Sequence, residues 1–176
     1  MKMLSGFTLG DLLVALGVVS ILSVTAVPGF ANLLLDARVT RHVNGFVHAV
    51  HLARQASTIR LEDTVICKTR DALTCAHNAA WHDGWLLFVN TDGDHPPHID
   101  TGEPTLASGA AWPDGNVSAN RRFFVFRPLT IRSTNGTVTF CDRRGAPFAR
   151  AVIVSYSGRP RTARTGPGNR ALICQM

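Results

Sequence analysis

The chain has 176 residues, 45% of them hydrophobic, and 18 Lys and Arg against 12 Asp and Glu give it a formal net charge of +6. That length leaves room for one modest globular domain beside a membrane segment, and excludes a string of several domains. The composition is that of a folded chain rather than a disordered one.

The charge is divided unevenly. Through Arg60 there are five basic and two acidic residues, from Leu61 to Asp114 two basic and nine acidic, and from Gly115 onward eleven basic and one acidic. The basic residues are arginines apart from Lys2 and Lys68. In chain order, the first feature is an apolar run. After Gly6, Phe7 and the lone acid Asp11, nineteen uncharged residues extend from Leu12 to Phe30. About 20 such residues span the hydrocarbon core as a helix. Only Lys2 and the amino terminus precede the run as positive charge, which places the short leader on the cytoplasmic side. A secretory signal would have a shorter apolar core and a small-residue cleavage site after it. Here Pro28 and Gly29 follow instead. Asp11 is a carboxylate one turn into a membrane helix, which is costly and marks a functional candidate.

Gly6-Phe7-Thr8-Leu9-Gly10-Asp11-Leu12-Leu13 resembles the class III signal of type IV pilins and pseudopilins. The resemblance implies that a prepilin peptidase cuts between Gly6 and Phe7 and methylates the new amino terminus. It also implies that Asp11, standing where the family has Glu, pairs with that amine in its own or a neighbouring subunit. Gly10 replaces the usual larger apolar residue. The family carries a proline at the spacing of Pro28, where the helix can loosen on assembly. The expected organisation is a leader over 1–6, a membrane and assembly half-helix over 7–30, an amphipathic half over 31–60 and a globular head over 61–176.

Pro28 removes a backbone donor and is expected to bend the helix, with Gly29 adding flexibility. Beyond it, Val39, Val43, Phe46, Val50, Ala53 and Ser57 form an apolar stripe suited to pack on a sheet. Glu62 and Asp63 would oppose the helix dipole, so the helix should stop near Arg60. Strand patterns follow at Thr64 to Lys68, Gly84 to Asn90, Arg122 to Arg127, Thr137 to Cys141, Ala151 to Tyr156 and Arg170 to Cys174. Between Thr91 and Asn116 the abundance of Gly, Pro, Asp and His reads as a long irregular loop. The expected fold is therefore α+β: one long amino-terminal helix packed on an antiparallel β-sheet head. The segments Leu52-Ala53-Arg54, Val65-Ile66-Cys67 and Trp81-x-x-Gly84-Trp85-Leu86-Leu87-Phe88 resemble the GspH/FimT group of minor pilins and pseudopilins. Trp85, Leu87 and Val89 alternate and can face the core, while Gly84 permits a close backbone approach.

Four cysteines follow the membrane run. Outside the cytoplasm their even number suggests disulfides, with three connectivities open. Proximity favours Cys67–Cys75 and Cys141–Cys174. No Cys-x-x-Cys pair supports zinc.

The sharpest site candidate is Gly158-Arg159-Pro160-Arg161, followed by Arg164 and Arg170. A residue before proline is biased to extended backbone. Residues two apart then point the same way at roughly 6.5–7 Å, near the spacing of successive phosphates on one strand. Each guanidinium is a planar fork of donors suited to phosphate. Gly158 would leave space for an approaching backbone, and Arg143 and Arg144 could assist. The pattern resembles the carboxyl-terminal DNA-binding motif of FimT proteins, which act in natural transformation. Few aromatics accompany these arginines, which favours sequence-independent contact with double-stranded DNA over stacking on single strands. An arginine-rich end also fits a plain solvated face, internal neutralisation by the acidic middle, or contact with acidic neighbouring subunits or lipopolysaccharide. His95 and His98, near Asp92, Asp94 and Asp100, have the residue types to hold a divalent metal, but the adjacent prolines favour solvated turn residues, so no metal and no cofactor is expected. There is no P-loop, nucleophile elbow or acid–base pair, and no enzymatic activity is expected. The partners implied are double-stranded DNA, other minor pilins and the major pilin, the prepilin peptidase and the inner membrane. The rival reading is an architectural pilin or pseudopilin.

Overall fold

The computed structural model describes residues 8–129 and 132–174, apart from the side chains of residues 25–28. It divides into a first unit ending at Arg38 and a second from Val39 onward. Helix α1 (Leu9–Arg60) contributes to both and is continuous through position 28.

In the first unit, Thr8 and Asp11 cap the helix start. The Thr8 N–H and hydroxyl donate to the Asp11 carboxylate at 3.0 and 2.9 Å, and the Asp11 N–H donates back to Thr8 Oγ1 at 3.3 Å. This reciprocal pairing satisfies donors that the first helical turn leaves open. Leu12, Leu13, Val14, Leu16, Val18, Val19 and Ile21 are all exposed. The most apolar 18-residue window of the helix has mean hydropathy 2.2 and is not buried by any protein surface. Such a surface has a natural solvent in lipid. Its two serines fit that setting, because Ser20 and Ser23 donate to the Leu16 and Val19 carbonyls at 2.8 Å.

In the second unit, Val39, Val43, Phe46, Val50, Ala53 and Ser57 are all at most 4% exposed, so the stripe read from spacing is the buried face. Two antiparallel sheets complete the core. The first has the order β3 (Thr105–Gly109), β2 (Trp85–Asn90), β1 (Asp63–Lys68), β5 (Phe123–Phe126). The second has the order β4 (Gly115–Ala119), β6 (Gly136–Asp142), β7 (Arg150–Val154), β8 (Pro160–Ala163). Phe46 joins them. Its ring meets Phe124 of the first sheet at 5.8 Å and Phe140 of the second at 6.1 Å, both edge-on. The Thr64 hydroxyl donates to the Ala53 carbonyl at 2.8 Å and fixes β1 on the helix.

Three expectations change. The head holds two sheets instead of one, because the chain leaves β5 on the first and pairs β6 with β4 instead. The segment from Thr91 to Asn116 contains β3 and the start of β4, so it is only partly irregular. The Arg170 to Cys174 stretch is not a strand. It is held instead by Cys141–Cys174 and by Leu172, buried against Ala149 and Ala151. The other bridge is Cys67–Cys75. Gly84 has φ 136°, and a Cβ there would lie 3.0 Å from the Gly109 carbonyl oxygen. That is the close strand approach the sequence suggests.

Candidate nucleic-acid interface

The arginine segment lies on the hairpin of β7 and β8, at the edge of the second sheet. A tight turn closes it. The Gly158 N–H donates to the Ser155 carbonyl at 2.9 Å, and the Ser155 N–H to the Arg159 carbonyl at 3.0 Å. The Arg159 N–H donates to Ser155 Oγ at 3.2 Å. Gly158 has φ 70° and is buried. A Cβ there would meet Ser133 Oγ at 2.9 Å, Phe126 Cδ1 at 3.2 Å and Arg54 Nη1 at 3.3 Å. The space assigned from sequence to an approaching nucleic-acid backbone is therefore taken by the protein itself, and the glycine serves the turn.

Strand alternation sorts the side chains of β8. Val152 and Val154 enter the core, and their partners Thr162 and Pro160 share that side. Arg161 pairs with Ile153 on the opposite, outer face, and Arg159 lies just before β8, at the end of the turn. Arg159, Arg161, Arg164 and Arg170 are all exposed. None of their guanidiniums forms an ion pair with a described residue. The acidic middle of the chain does not neutralise them among the described residues. Arg164 follows β8 directly. Arg170 lines a groove of about 340 Å³ between the carboxyl-terminal segment and the sheet's outer face, beside Ser118, Thr137 and Thr139.

Arg144 is a correction. Its Nη2 contacts Asp142 Oδ2 at 2.7 Å and its Nε contacts the two carboxylate oxygens at 3.2 and 3.0 Å. The two side chains are 11% and 1% exposed, and the guanidinium sits 4.2 Å from the Phe148 ring centroid. A cation so paired and covered has no face left for a phosphate. Burial pushes the Asp142 pKa up, but hydrogen bonds from Arg144 and the charges of Arg144 and Arg143 outweigh it, and the carboxyl stays below its usual range. Arg143 is exposed but lines a different cavity of about 420 Å³, with His82 and Asn116. The two residues thus stand apart from the β8 strip.

The remaining candidates divide. Gly6 and Phe7 lie outside the described residues, as does the side chain of Pro28. In the histidine loop, Asn90 and Asp92 side chains accept from the Gly93 and Asp94 N–H groups, as turn residues do. Asp94 accepts from the His98 N–H and contacts His98 Nδ1 at 2.9 Å. Asp92, Asp94 and Asp100 oxygens lie within 4.8 Å of one another, an exposed acidic group that these local bonds already organise.

The fold and part of the sequence have known counterparts. No curated protein matches the chain. Two crystal structures of the type IV minor pilin FimU from Pseudomonas aeruginosa are similar, in space groups P21 and P65. The first has a TM-score of 0.54 at 16% identity and covers 82% of this chain and 98% of that one. For the second the values are 0.53, 15%, 78% and 98%. The architecture is thus the type IV pilin fold. Residues 42–158 match the family model described as type II transport protein GspH. That span takes in the helix stripe from Val43 onward, the first sheet and β4, β6 and β7 of the second, and it stops at Gly158, short of β8; the chain belongs to the GspH family.

Proposed function

We propose that this pilin-like protein binds double-stranded DNA without sequence preference through Arg159 and Arg161, as a FimT-type minor pilin serving natural transformation. The observation carrying this reading is that Arg159, at the end of the β7–β8 turn, and Arg161, on the outer face of β8, are both exposed without an acidic partner among the described residues. Pro160 fixes the backbone between them and lowers the entropy lost on binding. Arg164 and Arg170 extend the charge. Weak sites suffice where several subunits engage one polymer, because tethering raises effective concentration.

The rest of the cycle follows the family resemblance. A prepilin peptidase removes residues 1–6 and methylates Phe7. The apolar half of α1 holds the subunit in the inner membrane with its head in the periplasm. On assembly with major and minor pilins, Asp11 pairs with a Phe7 amine, and Pro28 lets the helix loosen. Retraction then draws bound DNA inward.

The test titrates duplex DNA into the full chain in detergent micelles at several salt concentrations. Sequence-tolerant binding with a steep negative salt slope is expected, and Arg159→Ala with Arg161→Ala lowers the slope by about 1.8. Unchanged binding by that double variant removes the assigned site. An architectural role, in pilus priming or in a secretion filament, is favoured by the FimU likeness and the family description. It predicts lost piliation, whereas DNA capture predicts lost uptake with normal piliation.

A further inference from the structure

A cleft of about 690 Å³ opens where β5 forms the edge of the first sheet, a size that suits a small molecule. Segments far apart in sequence build it: His77 after the Cys67–Cys75 loop, His95 after β2, Arg122 and Phe123 at the start of β5, and Thr134. Its walls are anchored. Lys68 Nζ donates to the His77 carbonyl at 2.7 Å, and the Ala76 N–H donates to the Lys68 carbonyl at 2.8 Å. Phe123 packs on the buried cluster of Val65, Cys67 and Val125. Thr134 is strapped to β5: its N–H donates to the Val125 carbonyl at 2.8 Å, and its hydroxyl accepts the Val125 N–H at 3.2 Å.

The lining combines two chemistries. His95 meets the Phe123 ring at 5.5 Å and 79°, and His77 meets it at 6.5 Å and 70°. Neither contact is a parallel stack, so ring surface is left for a flat ligand. Beside the rings stands Arg122, exposed and without an ion pair to a described residue. Among the described residues no carboxylate lines the cleft, and the surroundings favour an anion over a metal cation. His77 adds a third sign of an occupant. Its Nε2 is buried and has no hydrogen-bond partner among the described residues, whereas most buried polar atoms have one. Burial, then the charges of His98, Lys68 and Arg122, lower the His77 pKa, and only Asp94 opposes them. The ring is therefore neutral at neutral pH, and the unpartnered nitrogen donates or accepts according to its tautomer.

We propose that this cleft binds a nucleotide, with the base against the rings of His95 and Phe123 and the phosphate on Arg122. The site takes nothing from β8 and goes beyond the reading above. A bare phosphate would leave the rings and His77 Nε2 unused, and an uncharged aromatic would leave Arg122 unused. A base joined to a phosphate uses both, through stacking and a charge-assisted hydrogen bond. The base edge also carries donors and acceptors that can satisfy His77. A free nucleotide and the terminal nucleotide of a strand share this chemistry.

The test measures binding of thymidine monophosphate, thymidine and deoxyribose phosphate to the full chain in detergent micelles. The nucleotide is expected to bind about tenfold or more tighter than either fragment. Arg122→Ala should weaken the nucleotide and the sugar phosphate on the order of 10-fold and leave thymidine unchanged. His95→Ala with Phe123→Leu should weaken the nucleotide and thymidine on the order of 10-fold and leave the sugar phosphate unchanged. Because Phe123 also serves the fold, His95→Ala alone is the second variant, with the same pattern at smaller size. Equal binding of nucleotide and sugar phosphate, or unchanged nucleotide binding in both Arg122→Ala and His95→Ala, overturns the site. A short single strand with a terminal phosphate distinguishes the sources. Tighter binding than the mononucleotide assigns the site to a strand end, and equal binding assigns it to free nucleotide; both support it. Arg159→Ala with Arg161→Ala should leave mononucleotide binding unchanged, and a loss there overturns the site by moving it to β8. Duplex binding in that same variant tests the DNA reading separately.

Discussion

Two arginine pairs late in the chain look alike as sequence and behave differently as structure. Arg143 and Arg144 follow the one acid of the last sixty residues, Asp142. The chain turns there, and the carboxylate takes Arg144 into a covered, bidentate pair. Arg159 and Arg161 flank a proline on an edge strand. Both are exposed, Arg161 on the outer face of the strand, and neither forms an ion pair with a described acid. A guanidinium is thus committed to stability or left for a partner according to the backbone that carries it, and the count of arginines decides neither.

Breaking the buried pair should have the largest effect. Asp142→Ala removes the bidentate carboxylate partner of a covered guanidinium and is expected to cost about 3–5 kcal/mol in urea denaturation. The pH dependence sharpens this. The folded Asp142 pKa is depressed, so its contribution is fully present above the unfolded value near 3.9 and is lost as pH falls through the lower folded value. The wild-type protein should lose stability over that acid range, and Asp142→Ala should lose less of it. Next comes the covalent tie beside the pair. Cys141→Ser with Cys174→Ser opens a loop with a sequence separation of 33 and should lower stability by about 3.5 kcal/mol.

The exposed pair should answer differently. Gly158→Ala strains the turn that presents it and meets Ser133, Phe126 and Arg54, at a cost of about 1–2 kcal/mol. Arg159→Ala with Arg161→Ala should leave denaturation midpoints within about 0.5 kcal/mol of wild type, while changing DNA binding as above. A loss as large as that of Asp142→Ala would show that β8 arginines also serve the fold, and would dissolve the contrast.

Legibility from sequence followed locality. The helix stripe, the stop at Arg60 and most strands are written in spacings of a few residues, and they stand within a residue or two of where they were read. The split into two sheets depends on which strands meet across the core, and periodicity within a strand carries no such information. Thr105 to Gly109 lacks the apolar alternation of a strand because its side chains are exposed or half-buried at a sheet edge. Arg170 to Cys174 has strand-like residues but is placed by a disulfide and one leucine. At the candidate site, the outward side of Arg161 was legible from alternation. The capture of Arg144 was not, although Asp142 two residues earlier is the signal for it.

The Cys141–Cys174 bridge has a mechanical consequence. β8 lies wholly between those two cysteines, so the arginine hairpin belongs to a covalently closed ring. On the proposed DNA reading, traction on a polymer held at Arg159 and Arg161 would load a segment whose far end is tied to β6 by the Cys141–Cys174 bridge.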